Sequence, residues 1–374
     1  MKKNITLTLF LFGILVAQAQ LPLPPSGDNQ KSTVSQMIGL VNVTVNYSSP
    51  DVHGPNGEDR TGKIWGEVVH YGYIDQGFGT SKAAPWRAGA NENTLITFSH
   101  DVTLGNTLVK AGTYSLFIEV QKEGEWTWIV NKDINSWGSY FYDAQQDVAR
   151  VKANPEEAAY TEWLTYGFDN RRRNTATLYL QWENKKVSLP ITVSNANDIY
   201  VDAIKDVLKG TTTGFTHEAY VQAAQFCLQN NVQLEQGLQW AEYALTDGFV
   251  GREDFNALAT KAQLLTALKR ENEAEAVMSK AIVHPTASVQ NVHQYGRSLL
   301  SAGKNEKALE VFKLNAKNHP EDKFTVNVGL ARGYTAVGDK KNAIKYWELA
   351  IKNLPENQKQ NLAFYEGELK KLKE

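Results

Sequence analysis

Residues 294–320, QYGRSLLSAGKNEKALEVFKLNAKNHP, and residues 329–355, GLARGYTAVGDKKNAIKYWELAIKNLP, are two copies of one pattern. Gly296, Ala308, Phe312 and Asn315 fall in step with Ala331, Ala343, Trp347 and Ala350 at an offset of 35. They fall in step with Ala262, Ala274, Met278 and Ala281 at an offset of 34. Gly303 and Gly338 end first helices in register, and Pro320 and Pro355 close second helices. A small residue where two helices cross lets them approach, and a large apolar residue four positions into the next helix fills the groove against the following pair. Such a period describes helix hairpins that stack to bury a continuous core.

This pattern resembles the tetratricopeptide repeat, clearly over residues 255–355. Glu218–Asn230 and Leu234–Thr246 look like an earlier, degenerate hairpin, which extends the array to 215–355. The pattern departs from the family at Asn315, where alanine or serine is usual, and at the aromatic positions of the first helices. Leu362, Tyr365, Leu369 and Leu372 share one face of a closing segment, so 356–374 suits a capping helix. The resemblance implies a scaffold that binds a protein or peptide. Before the array, residues 194–214 form a helix with Tyr200, Ala203, Ile204, Val207 and Leu208 as its stripe, and then a short linker.

The chain opens with Met1-Lys2-Lys3, an apolar run from Ile5 to Val16 and Ala17-Gln18-Ala19. That is the pattern of a secretory signal peptide over 1–19, with an apolar core shorter than the roughly 20 residues that span a bilayer. Residues 20–32, containing Leu21-Pro22-Leu23-Pro24-Pro25, read as an extended leader. The expected setting is periplasmic or secreted, with no membrane span after signal cleavage. The lone Cys227 excludes an intramolecular disulfide and, among apolar helical neighbours, reads as packing. Lys and Arg total 39 against 41 Asp and Glu, so charge does not point to nucleic acid or an anionic membrane. Residues 194–374 carry 22 of each sign, so the repeat array has no overall sign.

Between leader and helices the period is two. Val41, Val43, Val45 and Tyr47 face one way, with Asn42, Thr44 and Asn46 opposite. Similar runs recur at 94–98, 113–120, 125–131, 148–153, 162–168, 175–182 and 185–193. Gly105-Asn106, Glu123-Gly124 and Glu183-Asn184 supply turn chemistry between them. Residues 33–193 therefore read as an antiparallel β-sandwich or jelly-roll-like domain. Pro190 removes a ladder donor, which places the last strand at an edge or a bulge. The fold class is thus multidomain, all-β followed by an all-α, tetratricopeptide-like solenoid.

Seven of the nine tryptophans lie in the β part. Trp126, Trp128 and Trp182 occupy strand positions. Trp65, Trp86 and Trp137 lie in connections, where a large aromatic either plugs the end of the sandwich or offers a stacking surface. Two loops gather polar groups, Pro85–Glu92 and Asn131–Tyr140. A recess built from Arg87, Asn91, Glu92, Asn131, Lys132, Trp137 and Tyr140 would bind a small polar ligand, with the cations on an anionic or carbonyl group and the rings as flat contacts. The reading favoured over that recess is loop wiring, with Arg87 paired to Glu92 or Asp133, because long loops on a sandwich need such networks.

Trp86-Arg87-Ala88-Gly89-Ala90-Asn91-Glu92, Lys110–Phe117, Asn131-Lys132-Asp133 and Trp137–Tyr140 resemble a family catalogued as domain of unknown function 2911, common in secreted proteins of the Bacteroidetes group. The resemblance covers about 35–193 and implies a compact exported β domain without an agreed reaction. The family usually carries threonine where this chain has Ala88.

No catalytic motif survives inspection. Gly57–Lys63 has the G-x-x-x-x-G-K spacing, but Ile64 follows where Ser or Thr must hold magnesium, and no buried strand precedes it. The seven histidines show no i, i+4 pair, so no metal or other cofactor is expected. His53, His70 and His100 could converge only through the fold. The reading is an exported two-domain binding protein, its repeats engaging a protein partner and its β domain a small ligand or second surface. The alternative is an enzyme on a carbohydrate or similar polar substrate through the β-domain loops.

Overall fold

The computed structural model describes residues 25–374, so the signal segment 1–19 and the start of the leader lie outside the described residues. The chain forms two compact units, one ending at Ala196 and one beginning at Asn197. No helix among the described residues is long and apolar enough to cross a membrane.

The first unit is a two-sheet antiparallel domain. Its strands are β1 (Gln30–Ile38), β2 (Val41–Ser49), β3 (Thr94–Phe98), β4 (Val102–Leu104), β5 (Thr107–Val109), β6 (Gly112–Glu119), β7 (Trp126–Asn131), β8 (Asp147–Ala153), β9 (Glu156–Asp169) and β10 (Thr175–Thr192). Six strands pair in the order β1-β2-β3-β6-β7-β8 and four in the order β5-β4-β10-β9. The alternation dictates the core: Val41, Val43, Val45, Ile96, Phe98, Leu116, Ile118 and Trp128 from one sheet, and Leu164, Tyr166, Leu178, Leu180, Leu189 and Ile191 from the other, are all buried. Trp128 joins the sheets directly, since its indole N–H donates to the Ser188 carbonyl at 3.2 Å and its ring lies 6.3 Å from Tyr166.

Three local readings change. β1 begins at Gln30, inside the segment read as leader, and pairs with β2 from Gln30 against Ser49 to Ile38 against Val41. Glu183-Asn184 is not a hairpin turn: β10 runs through it as one strand, with register shifts against β9 on both sides of Glu183. Glu183 takes φ 51° with its side chain buried, and its carboxylate accepts the Gly62 amide at 2.5 Å, an internal group in place of a turn. β10 also has neighbours on both sides. Pro190 is nonetheless tolerated, because it falls between the stretch paired with β9, which ends at Lys186, and the stretch paired with β4, which starts at Ile191.

The second unit holds α1 (Ala196–Val207), α2 (His217–Asn230), α3 (Leu234–Thr246), α4 (Phe255–Ala267), α5 (Glu271–Ala281), α6 (Val289–Ser301), α7 (Asn305–Asn318), α8 (Thr325–Ala336), α9 (Lys340–Lys352) and α10 (Leu362–Lys373). The helices from α2 to α9 pair as successive antiparallel hairpins, the tetratricopeptide-like arrangement, and α10 packs on α9. Gly296 shows why the crossing needs a small residue: a Cβ there would lie 2.4 Å from the Phe312 ring. Asn315 is fully buried and donates to the Val289 carbonyl at 2.9 Å, tying α7 to the start of α6 where the family uses a smaller residue. Cys227 is buried beside Ala224, Leu238 and Ala241, and desolvation pushes its thiol up to about 11, slightly opposed by Lys205. A thiol so placed is packing rather than a nucleophile.

Candidate functional site

In the β unit, the long connection between β2 and β3 carries Trp65 and Trp86 into the end of the sandwich. There Trp65 packs 4.8 Å from Trp126 and 6.0 Å from Trp182, and Trp86 stacks on Trp182 at 6.3 Å. These two loop tryptophans are therefore plugs. Trp137 is different, with about half of its surface exposed.

The loop Pro85–Asn93 is shaped by two residues in left-handed conformation, Ala88 at φ 53° and Asn91 at φ 58°. Such a backbone costs an alanine roughly 1–2 kcal/mol. It is held because the buried Ala88 carbonyl accepts two hydroxyls, Thr94 at 3.0 Å and Tyr166 at 2.8 Å. The turn then aims Arg87 back over the loop, where Nη1 donates to the Asn91 carbonyl at 2.7 Å. Its guanidinium carbon sits 5.2 Å from the centre of the Tyr140 ring and lies against Gly138, where a Cβ would come within 2.4 Å. Arg87 meets neither Glu92 nor Asp133. Nearby, the His70 Nε2 is buried without a partner, while Nδ1 faces the Gly72 carbonyl at 3.1 Å. Burial, with help from the Arg87 charge, holds the His70 imidazole below its ordinary range.

Thus Arg87, the Asn91 carbonyl, the Tyr140 ring and Gly138 come together, while Trp137 is exposed. Asn91 donates through its side chain to the Ser26 carbonyl at 3.1 Å. Glu92 turns elsewhere, to Lys31 at 3.0 Å and the Ser48 hydroxyl at 3.2 Å. Asn131 is fully buried as wiring, donating to the Asp143 carbonyl and Asp147 carboxylate and accepting the Asp133 amide. Lys132 is exposed and only its backbone amide is engaged, with the Gln146 carbonyl at 3.0 Å.

The three β-unit histidines do not converge. His53 lies against Glu162 at 3.0 Å and Asp59 at 3.6 Å, His70 is described above, and His100 meets the Ser99 hydroxyl. Glu162 also accepts the Tyr160 hydroxyl. Partial desolvation opposes ionisation of Glu162, but the Tyr160 hydroxyl and His53 prevail and hold its carboxyl at about 2.

In the helical unit a cleft opens between the α4–α5 and α6–α7 hairpins. It comprises two recesses of about 380 and 500 Å³ that share Gln263, Met278, Tyr295 and Ser298. Gln263 and Gln294 reach into it from α4 and α6, and neither side-chain amide has a protein partner among the described residues. Met278 and Ala259 supply apolar surface. Sequence reading left this groove unassigned, because glutamines on the polar side of amphipathic helices look like ordinary solvent contacts.

Residues 29–191 match the family model described as protein of unknown function DUF2911. No curated protein matches the chain significantly. Among solved structures, the crystal structure of MamA aligns at TM-score 0.32 and 16% identity, covering 42% of this chain and 89% of that one. The structure described as YrrB, a TPR protein with an unusual peptide-binding site, aligns at TM-score 0.30 and 17% identity over 43% of this chain and 80% of that one. A tetratricopeptide repeat protein from Parabacteroides merdae aligns at 0.33 and 13% identity over 48% and 70% of the two chains.

Proposed function

We propose that this chain is a binding protein whose helical unit holds an extended segment of a partner protein in the cleft between α4–α5 and α6–α7. The observation that carries this is the pair of unengaged amides, Gln263 and Gln294, on facing helices above Met278 and Tyr295. A carboxamide both donates and accepts, so it pairs with a peptide backbone whatever its sequence, while the thioether and phenol ring give apolar contact. The cleft volume falls in the range of ligand sites. An exported setting is in keeping with the signal pattern of Met1–Ala19 and with a single buried cysteine. The test selects binders from a displayed random-peptide library on the full chain, then measures them against Gln263→Ala with Gln294→Ala. Weakening of about tenfold supports the reading; selected peptides indifferent to both changes would overturn it.

A second reading concerns the β unit, where Arg87 lacks a carboxylate partner and is held over the Tyr140 ring. It favours a small anionic or carbonyl ligand at that loop. Carboxylates screened by thermal shift should raise the melting point of the native chain and not of Arg87→Met.

A further inference from the structure

The loop 74–84 of the β unit is built to hold one ring in the open. Its ends are zipped by two hydrogen bonds between Ile74 and Ala84, at 2.8 and 3.2 Å. Gly77 at φ 74° and Gly79 at φ 73° turn the chain on either side of Phe78. At Gly79 space matters too, since a Cβ there would come within 2.3 Å of the Tyr140 carbonyl oxygen. That same oxygen accepts the Ser81 amide at 2.9 Å, which seats the loop on the segment 139–142.

Phe78 thereby stands nearly at right angles to two other rings, 5.4 Å from Tyr140 at 81° and 5.9 Å from Phe141 at 80°. Phe78 remains 64% exposed and Phe141 39%, although burying such rings would stabilise the fold. Clustered apolar rings left in water mark a surface that binds. The Tyr140 ring also carries the Arg87 guanidinium, which has no carboxylate partner among the described residues. On the loop itself Asp75 and Lys82 pair at 3.0 Å with both side chains open to solvent, and the Asp75 carboxylate accepts the Gly77 amide at 2.9 Å, next to Phe78.

We propose that Phe78, Tyr140 and Phe141 form a platform for an acidic polysaccharide, with Arg87 taking the carboxylate of a uronic acid residue whose ring lies on the aromatics. This rests on the reading of Arg87 as the holder of an anionic ligand, and names that ligand's class. Three features select the occupant. The C–H groups on one face of a pyranose are weakly positive and settle on the negative face of an aromatic ring. A guanidinium binds a carboxylate through two N–H groups, and while Arg87 Nη1 donates to the Asn91 carbonyl, Nε and Nη2 have no hydrogen-bond partner among the described residues. Asp75 and Lys82 offer an acceptor and donors to ring hydroxyls, groups that an aromatic or aliphatic acid would leave unused. The rings lie open, which suits a polymer laid across them, whereas small solutes are held in enclosed pockets.

The experiment measures binding to the full chain by isothermal titration calorimetry. The probes are short oligomers of galacturonate and of mannuronate, the methyl ester of each, and succinate. At least one uronate should bind, about tenfold or more tighter than its ester and than succinate. Phe78→Ala should weaken that uronate about tenfold and leave succinate within about twofold, and because Phe78 is exposed the variant keeps its fold. Arg87→Met, with its native circular dichroism verified, should bring the uronate down to the level of its ester. Phe249→Ala, at an exposed ring of the helical unit, should leave every affinity within about twofold. Succinate held through Arg87, with uronates no tighter and indifferent to Phe78→Ala, would overturn the platform and leave the carboxylate reading standing. An ester that binds as well as its acid would also overturn the platform. Failure of every carboxylate to bind would overturn both.

Discussion

The Tyr166 hydroxyl donates a 2.8 Å hydrogen bond to the Ala88 carbonyl, joining β9 to the left-handed turn that positions Arg87. Both groups are buried, and Tyr47 lies 4.8 Å from the Tyr166 ring. Tyr166→Phe should destabilise the β unit by about 1–2 kcal/mol, because Ala88 keeps only the Thr94 hydroxyl. Adding Thr94→Ala leaves that carbonyl unpaired, so the double variant should lose more than the sum of the two single changes in urea unfolding.

Trp65 contacts Trp86, Trp126 and Trp182 at once. Trp65→Ala should cost about 3–5 kcal/mol and open a cavity at the end of the sandwich. Near-ultraviolet circular dichroism should lose amplitude as the Trp86–Trp182 stack loosens, and an unchanged spectrum would contradict the packing described.

The Glu162–His53 pair sets a pH window. Glu162 ionises at about 2 in the fold against an ordinary value of 4.5, so its contribution is complete above 4.5 and is lost as pH falls toward 2. His53 is raised above 6.5, first by its hydrogen bond to Glu162 and then by that charge, so its contribution is complete below 6.5 and fades as pH rises beyond. The melting-point difference between the native chain and Glu162→Gln should therefore peak between these limits and shrink on both sides.

His293 acts with the opposite sign to His53. Its imidazole titrates at about 4 when folded and 6.5 when free, so the stability it contributes is complete above 6.5 and is lost as pH falls to 4. The helical unit should lose at most about 3 kcal/mol over that interval. His293→Asn should flatten the slope, and Arg332→Met should raise the His293 value in an NMR titration by removing the larger of its two cationic neighbours.

Gly138 takes φ 61° with the Arg87 guanidinium directly over it. Gly138→Ala should lower stability by about 1 kcal/mol or more through the backbone alone and displace Arg87 from the Asn91 carbonyl. A crystal structure of the variant with Arg87 unmoved would show that the contact is incidental.

Much of this fold was legible because periodicity reports burial. The limits read for the second hairpin partner, Leu234–Thr246, coincide with α3, and the small residue at Gly296 sits where two helices touch. β1 escaped notice because QKSTVSQMI is polar on both faces, as an edge strand allows. Glu183 misled because turn chemistry normally exposes its residues, whereas here a distant amide, Gly62, compensates a buried carboxylate. At the loops, composition placed Arg87 beside Tyr140 but could not say that Glu92 faces Lys31.

β10 serves two partners in succession, β9 along most of its length and β4 over only two residue pairs, Ile191 with Leu104 and Thr192 with Thr103. The β4–β5 hairpin is three residues a side, so it hangs on the end of a strand whose own anchorage lies elsewhere. Opening that hairpin leaves the rest of the ladder intact. Its amide protons should therefore trade with solvent long before those of Thr177–Gln181, making this corner the place where the β unit first breathes.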